Sequence, residues 1–452
     1  MAKISSQFQQ QMQMLIGEAE TAHLIDALEG VAPVSVRLNP CKPGATFADT
    51  TPVPWCDRGL YLPQRPAFTQ NPHLHGGAFY VQEASSMFIE QAFRAMAFSP
   101  QRVLDLCAAP GGKSTLWRSL MDDGTLLVAN EPMRQRAQIL AENLSKWGHP
   151  DVVVTSAFPH EFASLKGFFD VVATDVPCSG EGMFRKDEGA VEQWSPECVE
   201  MCAARSWEII EQIWDTLREG GYFVYSTCTY NRSEDEDNVH RICQELGAEL
   251  VKIDVPQEWH IVGDTTGRDL PVYHFFPHKT QGEGFFLALL RKTSPSASPK
   301  KVKQGKHAKD KVAKGAKEVS KWLTHAQEFK IFNPDPEHVV AVRQSLFEDV
   351  YRIASCVATL QVGIPLAAER GKKYIPEHTL ALSTELSCDA FPIIELSLEQ
   401  ALSYLRRKSI VLPPEVPRGY VVVAFEGTRL GFVNNLGNRA NNMYPNEWRI
   451  RH

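Results

Sequence analysis

Between residues 98 and 293, short apolar runs alternate with helix-patterned stretches, which restricts this segment to an α/β fold with a parallel sheet. VLDLC (103–107), TLLVANE (125–131), DVVVT (151–155), FFDVVATD (168–175) and YFVYS (222–226) read as strands. One helix follows the loop AAPGGK through Met121, and a second runs from Met133 to Trp147. A third is expected from Pro196 to Glu219, with Ser195 as N-cap, Pro196 in the first position and Gly220-Gly221 as the stop. Val199, Cys202, Ser206, Ile210, Ile213 and Leu217 share its apolar face. Ser233 and Glu236 have the spacing of a capping box opening the next helix. AELVKIDV and GFFLALL complete a doubly wound, Rossmann-like sheet of about seven strands.

The chain has 452 residues, too many for one core, so further domains are expected. Residues 1–97 are expected to form an N-terminal accessory RNA-binding α/β domain that opens on an amphipathic helix carrying Phe8, Met12, Leu15, Ile16 and Ala19 on one side. After the sheet domain (98–293), residues 294–319 read as a basic flexible linker rich in Ser, Pro, Lys and Gly. Residues 320–388 form an intermediate domain, and 389–452 a small β-rich module with short runs such as GYVVVAF and TRLGFVNN. No apolar span of membrane length is seen and residues 1–20 lack the charged, apolar and cleavage regions of a signal peptide, so a cytoplasmic monomer is expected. The net charge of −7 argues weakly against a nucleic-acid partner, but ten Lys and Arg side chains against Asp310 alone lie between Arg291 and Lys317. That segment serves equally as a solvated linker and as a phosphate-attracting arm.

In an open parallel sheet the ligand binds beyond the carboxyl ends of the strands. Asp105, the loop Cys107-Ala108-Ala109-Pro110-Gly111-Gly112-Lys113 and Glu131 fall there. Gly111 and Gly112 let the backbone come close to a bound group, and Glu131 is placed to accept from both hydroxyls of a ribose. The GxGxxG turn that cradles a pyrophosphate is absent, so a nucleoside without phosphate fits better than a dinucleotide.

Two of the ten cysteines lie in loops at this edge, Cys178 in DVPCSGEG and Cys228 in YSTCTYN. Cys202, Cys243, Cys356 and Cys388 read as small core hydrophobes. Cys198 and Cys202 have CxxxC spacing but no second cluster, so no metal site is expected. On the residues alone, either Cys178 or Cys228 can be a nucleophile. Cys228 lies shortly before the expected helix start at Ser233, a placement that favours a thiolate.

VLDLCAAPGGKST, NEP followed by Arg136 and Asn143, TDVPCSGEGMFRK and YSTCTYN, in this order, closely resemble the RNA 5-methylcytosine methyltransferases of the Nop2/Sun family. Within it the likeness is to bacterial members acting on small-subunit ribosomal RNA. SVRLN (35–39), YVQEASSM (80–87) and HFFPHKTQGEGFF (274–286) add to the resemblance, and GFVNNLGNRANNMYPNEWRIR is similar to a PUA-like RNA-binding domain. The likeness covers nearly the whole chain except the basic linker. It implies a class I methyltransferase sheet and S-adenosylmethionine as cofactor. It further implies Cys228 as nucleophile, Cys178 as the group assisting product release, and Asp175 beside the target base. Residues 107–113, with Glu131, Arg136 and Asp175, would contact the cofactor or base. A thiolate adding to the neighbouring ring carbon would make the target carbon of cytosine nucleophilic enough to take a methyl group. One departure is evident: many relatives carry an acidic residue after the third strand, where Ser156, Ala157 and Phe158 here offer no carboxylate.

Arg37, Arg185, Lys186, Arg439 and Arg449 are candidate RNA contacts. A ribosomal RNA loop or partly assembled small subunit suits a reaction that needs an unstacked cytosine. A transfer-RNA enzyme of the same chemistry, a non-catalytic ribosome-assembly factor and a nicotinamide oxidoreductase are the competing readings.

Overall fold

The computed structural model describes residues 4–296, 315–371 and 373–451. Most of the basic stretch expected as a linker, residues 297–314, lies outside the described residues.

Nine strands form the central sheet: β1 (Arg102–Asp105), β2 (Leu126–Asn130), β3 (Val152–Thr155), β4 (Phe169–Asp175), β5 (Leu217–Thr227), β6 (Ala248–Leu250), β7 (Val272–Phe275), β8 (Phe285–Lys292) and β9 (Thr359–Val362). Their order is β6-β8-β5-β4-β1-β2-β3-β9, with β7 also paired to β8. β1 to β5 are parallel, whereas β8 runs antiparallel to β5 and β9 antiparallel to β3. The order reverses between β1 and β4, which is where a doubly wound sheet opens its ligand crevice. Alternate residues feed two cores. Val103, Leu127, Val154 and Val171 pack with Trp117 and Leu140 on one face. Leu104, Val128, Val153 and Val172 pack with Phe162, Ile210 and Ile213 on the other. Burial on both faces explains why these strands read as continuous apolar runs. Each buried Val or Leu contributes roughly 1.5–3 kcal/mol.

The long helix spans Pro196–Trp214, with the Ser195 side chain accepting from Cys198 N at 3.1 Å. It stops short of the expected Gly220-Gly221, because the Thr216 hydroxyl turns back onto Ile213 O at 2.7 Å and Leu217 already belongs to β5. Gly220, at φ 71°, sits inside the strand at an irregularity opposite β4 instead of ending a helix. The capping box at Ser233 does not form either. The next helix is Glu236–Arg241, and the Glu236 carboxylate is buried against His274 Nε2 (2.9 Å) and Thr265. Of the cysteines expected in the core, Cys202, Cys243 and Cys356 are half-buried and Cys388 is exposed.

At the N-terminus, Ser5 caps a helix Ser6–Ile16 that breaks at Gly17 (φ 87°) before a second helix, Glu18–Glu29. Phe8 packs on Phe184 and Trp194, which fastens this helix to the segment after Cys178. A four-stranded sheet (Thr51–Pro52, Gly59–Leu62, Val34–Leu38, Phe79–Val81) follows. Beyond the undescribed stretch come two further four-stranded sheets. Between the second and third strands of the first of these, Thr359–Val362 leaves to become β9 of the central sheet, so the intermediate segment is built into that sheet's edge. The last sheet pairs Gly419–Phe425 with Thr428–Asn435.

Candidate active site

Every strand-end residue singled out above converges on the carboxyl edge of β1, β2, β4 and β5. After β1 the chain turns through a cis Ala109–Pro110 bond into the helix Gly112–Leu120. Gly111 has φ 114°, and a β-carbon there would stand 3.2 Å from Leu140 Cδ1, so both conformation and space call for glycine. Ala108 N donates to Asn130 O at 2.9 Å, tying the turn to β2. Arg136 donates to Ala109 O (3.2 Å) and Asn143 to Pro110 O (2.8 Å), fixing the outer wall.

Two buried carboxylates face this turn. Asp105 accepts from Ser114 Oγ at 2.6 Å, and burial pushes it up to about 6. Glu131, at the end of β2, accepts from Met133 N (2.9 Å) and lies 3.4 Å from the Arg136 guanidinium. Its remaining lone pairs suit a vicinal diol. Burial pushes the Cys107 thiol up to about 12, and the Thr174 hydroxyl lies 3.7 Å from its sulfur.

Cys178, after β4, and Cys228, after β5, are in contact. Their sulfurs lie 3.1 Å apart, and the Cys228 N–H points to Cys178 Sγ at 3.3 Å. The hydrogen bond with Cys228, burial, and the Glu234 and Asp175 carboxylates hold the Cys178 thiol well above the ordinary value. Lys113 Nζ bonds Asp175 Oδ2 at 2.9 Å, and Ser226 Oγ donates to Asp175 Oδ1 at 3.0 Å. Burial alone would lower the Lys113 ammonium, but Asp175, with Cys228 and Asp105, holds it above the ordinary lysine value. A cation, a carboxylate and two thiols, each half-buried, thus lie together beside the glycine turn, an arrangement suited to covalent catalysis on a polar ring.

Three expectations change. Arg37 is buried, not an RNA contact: it donates to Gln82 Oε1 (2.8 Å), Thr115 Oγ1 (2.6 Å) and Gly112 O (3.2 Å), and stacks on Trp147. Arg185 is spent on Glu283 at 3.0 Å, with its side chain 6% exposed, and Lys186 pairs with the same carboxylate. Arg439 and Arg449 remain exposed. Near Phe158 a carboxylate does arrive: Glu161, on the following turn, accepts from Phe158 N at 2.5 Å beside the exposed Phe158 ring. A group of three possible metal ligands, Asp123, His149 and Asp151, lies at the opposite, amino-terminal edge, where Gly124 N and Arg343 already occupy Asp151.

The sequence has relatives whose names match this geometry. Residues 96–291 match the family model described as 16S rRNA methyltransferase RsmB/F, residues 4–84 the N-terminal domain of 16S rRNA methyltransferase RsmF, and residues 391–450 the methyltransferase RsmF PUA domain. The chain belongs to the RsmB/F family. It is 32% identical to Ribosomal RNA small subunit methyltransferase F of Escherichia fergusonii over 88% of this chain and 84% of that one. The protein of that name from Erwinia tasmaniensis is 31% identical over 97% of this chain and 95% of its own length. Among solved structures, a methyltransferase homolog from Pyrococcus horikoshii superposes with a TM-score of 0.54 at 25% identity, covering 64% of this chain and 95% of that one. NSun6 from Pyrococcus horikoshii, solved with SFG, has the same fold, with a TM-score of 0.54 at 19% identity over 64% of this chain and 98% of its own. These matches establish the Rossmann-like methyltransferase sheet with RsmF-type N-terminal and PUA domains. Among the described residues, no helix is long and apolar enough to cross a membrane.

Proposed function

We propose that this chain methylates the 5-position of cytosine in small-subunit ribosomal RNA, with S-adenosylmethionine as donor and a transient bond between Cys228 and the pyrimidine. The observation that carries the reading is the contact of Cys178 with Cys228 beside the Lys113–Asp175 pair, on the same edge as the Gly111 turn and Glu131. The family and the relatives' names support ribosomal RNA as the substrate class.

The donor set suits the nucleoside part of the cofactor: a buried carboxylate with free acceptor capacity at Glu131 and a glycine turn with no side chain in the way. S-adenosylmethionine, when bound, supplies an electrophilic methyl group. Residues 107–113, with Glu131 and Arg136, are the groups assigned to hold it. Asp175 offers its carboxylate to the exocyclic amine of cytosine and, once N3 takes up a proton in the adduct, to that N3–H, while Lys113 neutralises the charge there. The Cys228 sulfur adds to the neighbouring ring carbon, and the electron density it delivers makes C5 the nucleophile. After methylation, solvent water takes the C5 proton, the C5–C6 double bond re-forms, and the C6–S bond breaks to expel Cys228. Cys178, its sulfur 3.1 Å from that of Cys228, stands next to the departing group. The reading places the reaction in the cytoplasm, and one chain supplies all the named groups without a metal.

Transfer of a labelled methyl group to purified ribosomal RNA, small subunits and transfer RNA tests it. Label should enter the small-subunit RNA as 5-methylcytosine and disappear in Cys228→Ala. Label confined to transfer RNA would refute the substrate, and an active Cys228→Ala beside a dead Cys178→Ala would reverse the thiols.

A further inference from the structure

Behind the two cysteines lies a buried acidic core that the chemistry above does not use. Glu181 and Glu234 are fully buried, and among the described residues neither pairs with a cation. Their bonds cross over. Glu181, three residues after Cys178, takes hydrogen bonds from the other cysteine's loop: Thr229 Oγ1 at 2.6 Å and Tyr230 N at 2.8 Å reach its Oε2. Glu234, six residues after Cys228, takes them from the loop of Cys178: Ser179 N at 2.8 Å reaches Oε1, and Ser179 Oγ at 2.5 Å reaches Oε2. Asn231 Nδ2 bridges the two carboxylates, at 3.2 Å from Glu181 and 2.6 Å from Glu234. Gly182 adds a fourth tie, its N–H donating to Cys228 O at 2.8 Å. Each cysteine's neighbour is thus held by a carboxylate carried on the opposite loop.

We propose that Glu181 and Glu234 are positioning residues, a reciprocal clasp that holds Cys178 and Cys228 in sulfur contact and is anchored from outside by the N-terminal helix. The anchor is Gln11 Nε2, which donates to Glu181 Oε1 at 2.8 Å, next to Trp194 Nε1 at 2.9 Å. Among the described residues the five partners of Glu181 are all donors, a set that suits a carboxylate; an amide in its place would turn an N–H2 towards donors. Burying two acids without a cation among the described residues, for packing alone, would be unfavourable, so their placement fits a geometric task. The inference rests on the assignment of the two thiols as the reacting pair.

The test separates the clasp from methyl transfer. In a glutathione buffer, oxidised glutathione converts Cys178 and Cys228 to an intramolecular disulfide and releases two reduced glutathiones. The equilibrium constant reports how closely the thiols are held. Full-length wild type, Glu181→Gln and Glu234→Gln are compared by mass spectrometry of the Cys178–Cys228 peptide. Glu181→Gln should lower the constant about tenfold or more, with a smaller loss in Glu234→Gln, since a buried carboxylate's hydrogen bonds are lost or reversed. kcat should fall in parallel while KM for S-adenosylmethionine stays unchanged. Should Glu181→Gln fail to fold, Thr229→Val and Gln11→Ala each remove one donor and should lower the constant by smaller steps. Constants within twofold of wild type would overturn the clasp. A wild type that closes the disulfide readily and variants that do not, with no methyl transfer by any of them, would leave the clasp standing and refute the function.

Discussion

Replacing Arg37 by alanine separates a structural arginine from an RNA contact. The guanidinium is buried without a carboxylate partner, and burial brings it down to about 10. Truncation leaves Gln82 Oε1 without its donor, removes the bond to Gly112 O at the start of the cofactor helix, and opens a cavity beside Trp147. A buried acceptor left unpaired and a large-to-small cavity each cost roughly 2 kcal/mol, partly offset by release of a buried cation, for a net loss of about 3 kcal/mol. For a unit of this size, that is a fall of roughly 6–12 °C in the melting transition. The assay pairs thermal unfolding with RNA binding across a salt series. Arg37→Ala should melt lower and bind S-adenosylmethionine more weakly, with an unchanged slope of log affinity against log salt. An unchanged melting temperature with a slope shallower by about 0.7–0.9, the value of one phosphate contact, would refute the structural account.

Gly182→Ala would place a β-carbon 2.5 Å from Gly284 O and 2.9 Å from Cys228 O, so turnover should fall steeply with cofactor affinity, followed by calorimetry, intact; wild-type turnover would contradict the packing. Burial pushes Glu234 up to about 7, so the folded state holds a proton that the unfolded chain has released, and stability should fall as pH rises from about 4.5 to about 7. Glu234→Gln should flatten that limb in urea unfolding by about 3 kcal/mol, and parallel wild-type and variant profiles would contradict it. Deleting residues 297–314, which carry seven lysines, should weaken RNA binding at low salt and reduce its salt slope, while label transfer to a free cytidine-containing oligonucleotide changes little.

The sheet and its ligand edge were legible because the information is local. Strands such as VLDLC and FFDVVATD are buried on both faces and read as apolar runs, and the turn after β1 needs glycine at a positive φ. What the sequence left hidden depends on partners far along the chain. Ser233 and Glu236 have perfect capping-box spacing, yet Glu236 is claimed by His274, thirty-eight residues on. Arg37 looked like a surface cation because nothing near it announces Gln82 or Thr115 as its partners. The long helix was carried too far because Gly220-Gly221 resembles a stop, whereas pairing with β4 and β8 makes it strand. At the site, the motifs brought out Cys178 and Cys228 separately. Their 3.1 Å contact and the crossed carboxylates behind it exist only once β4 and β5 lie side by side.

The most direct measurement of the central claim uses ribosomal RNA transcribed with 5-fluorocytidine. Fluorine at C5 blocks the final proton loss, so the adduct persists after methyl transfer. Protease digestion and mass spectrometry of the trapped wild-type complex should find the nucleotide on the peptide containing Cys228. A nucleotide attached through Cys178, or no adduct under conditions that support methyl transfer to unmodified RNA, would contradict the account.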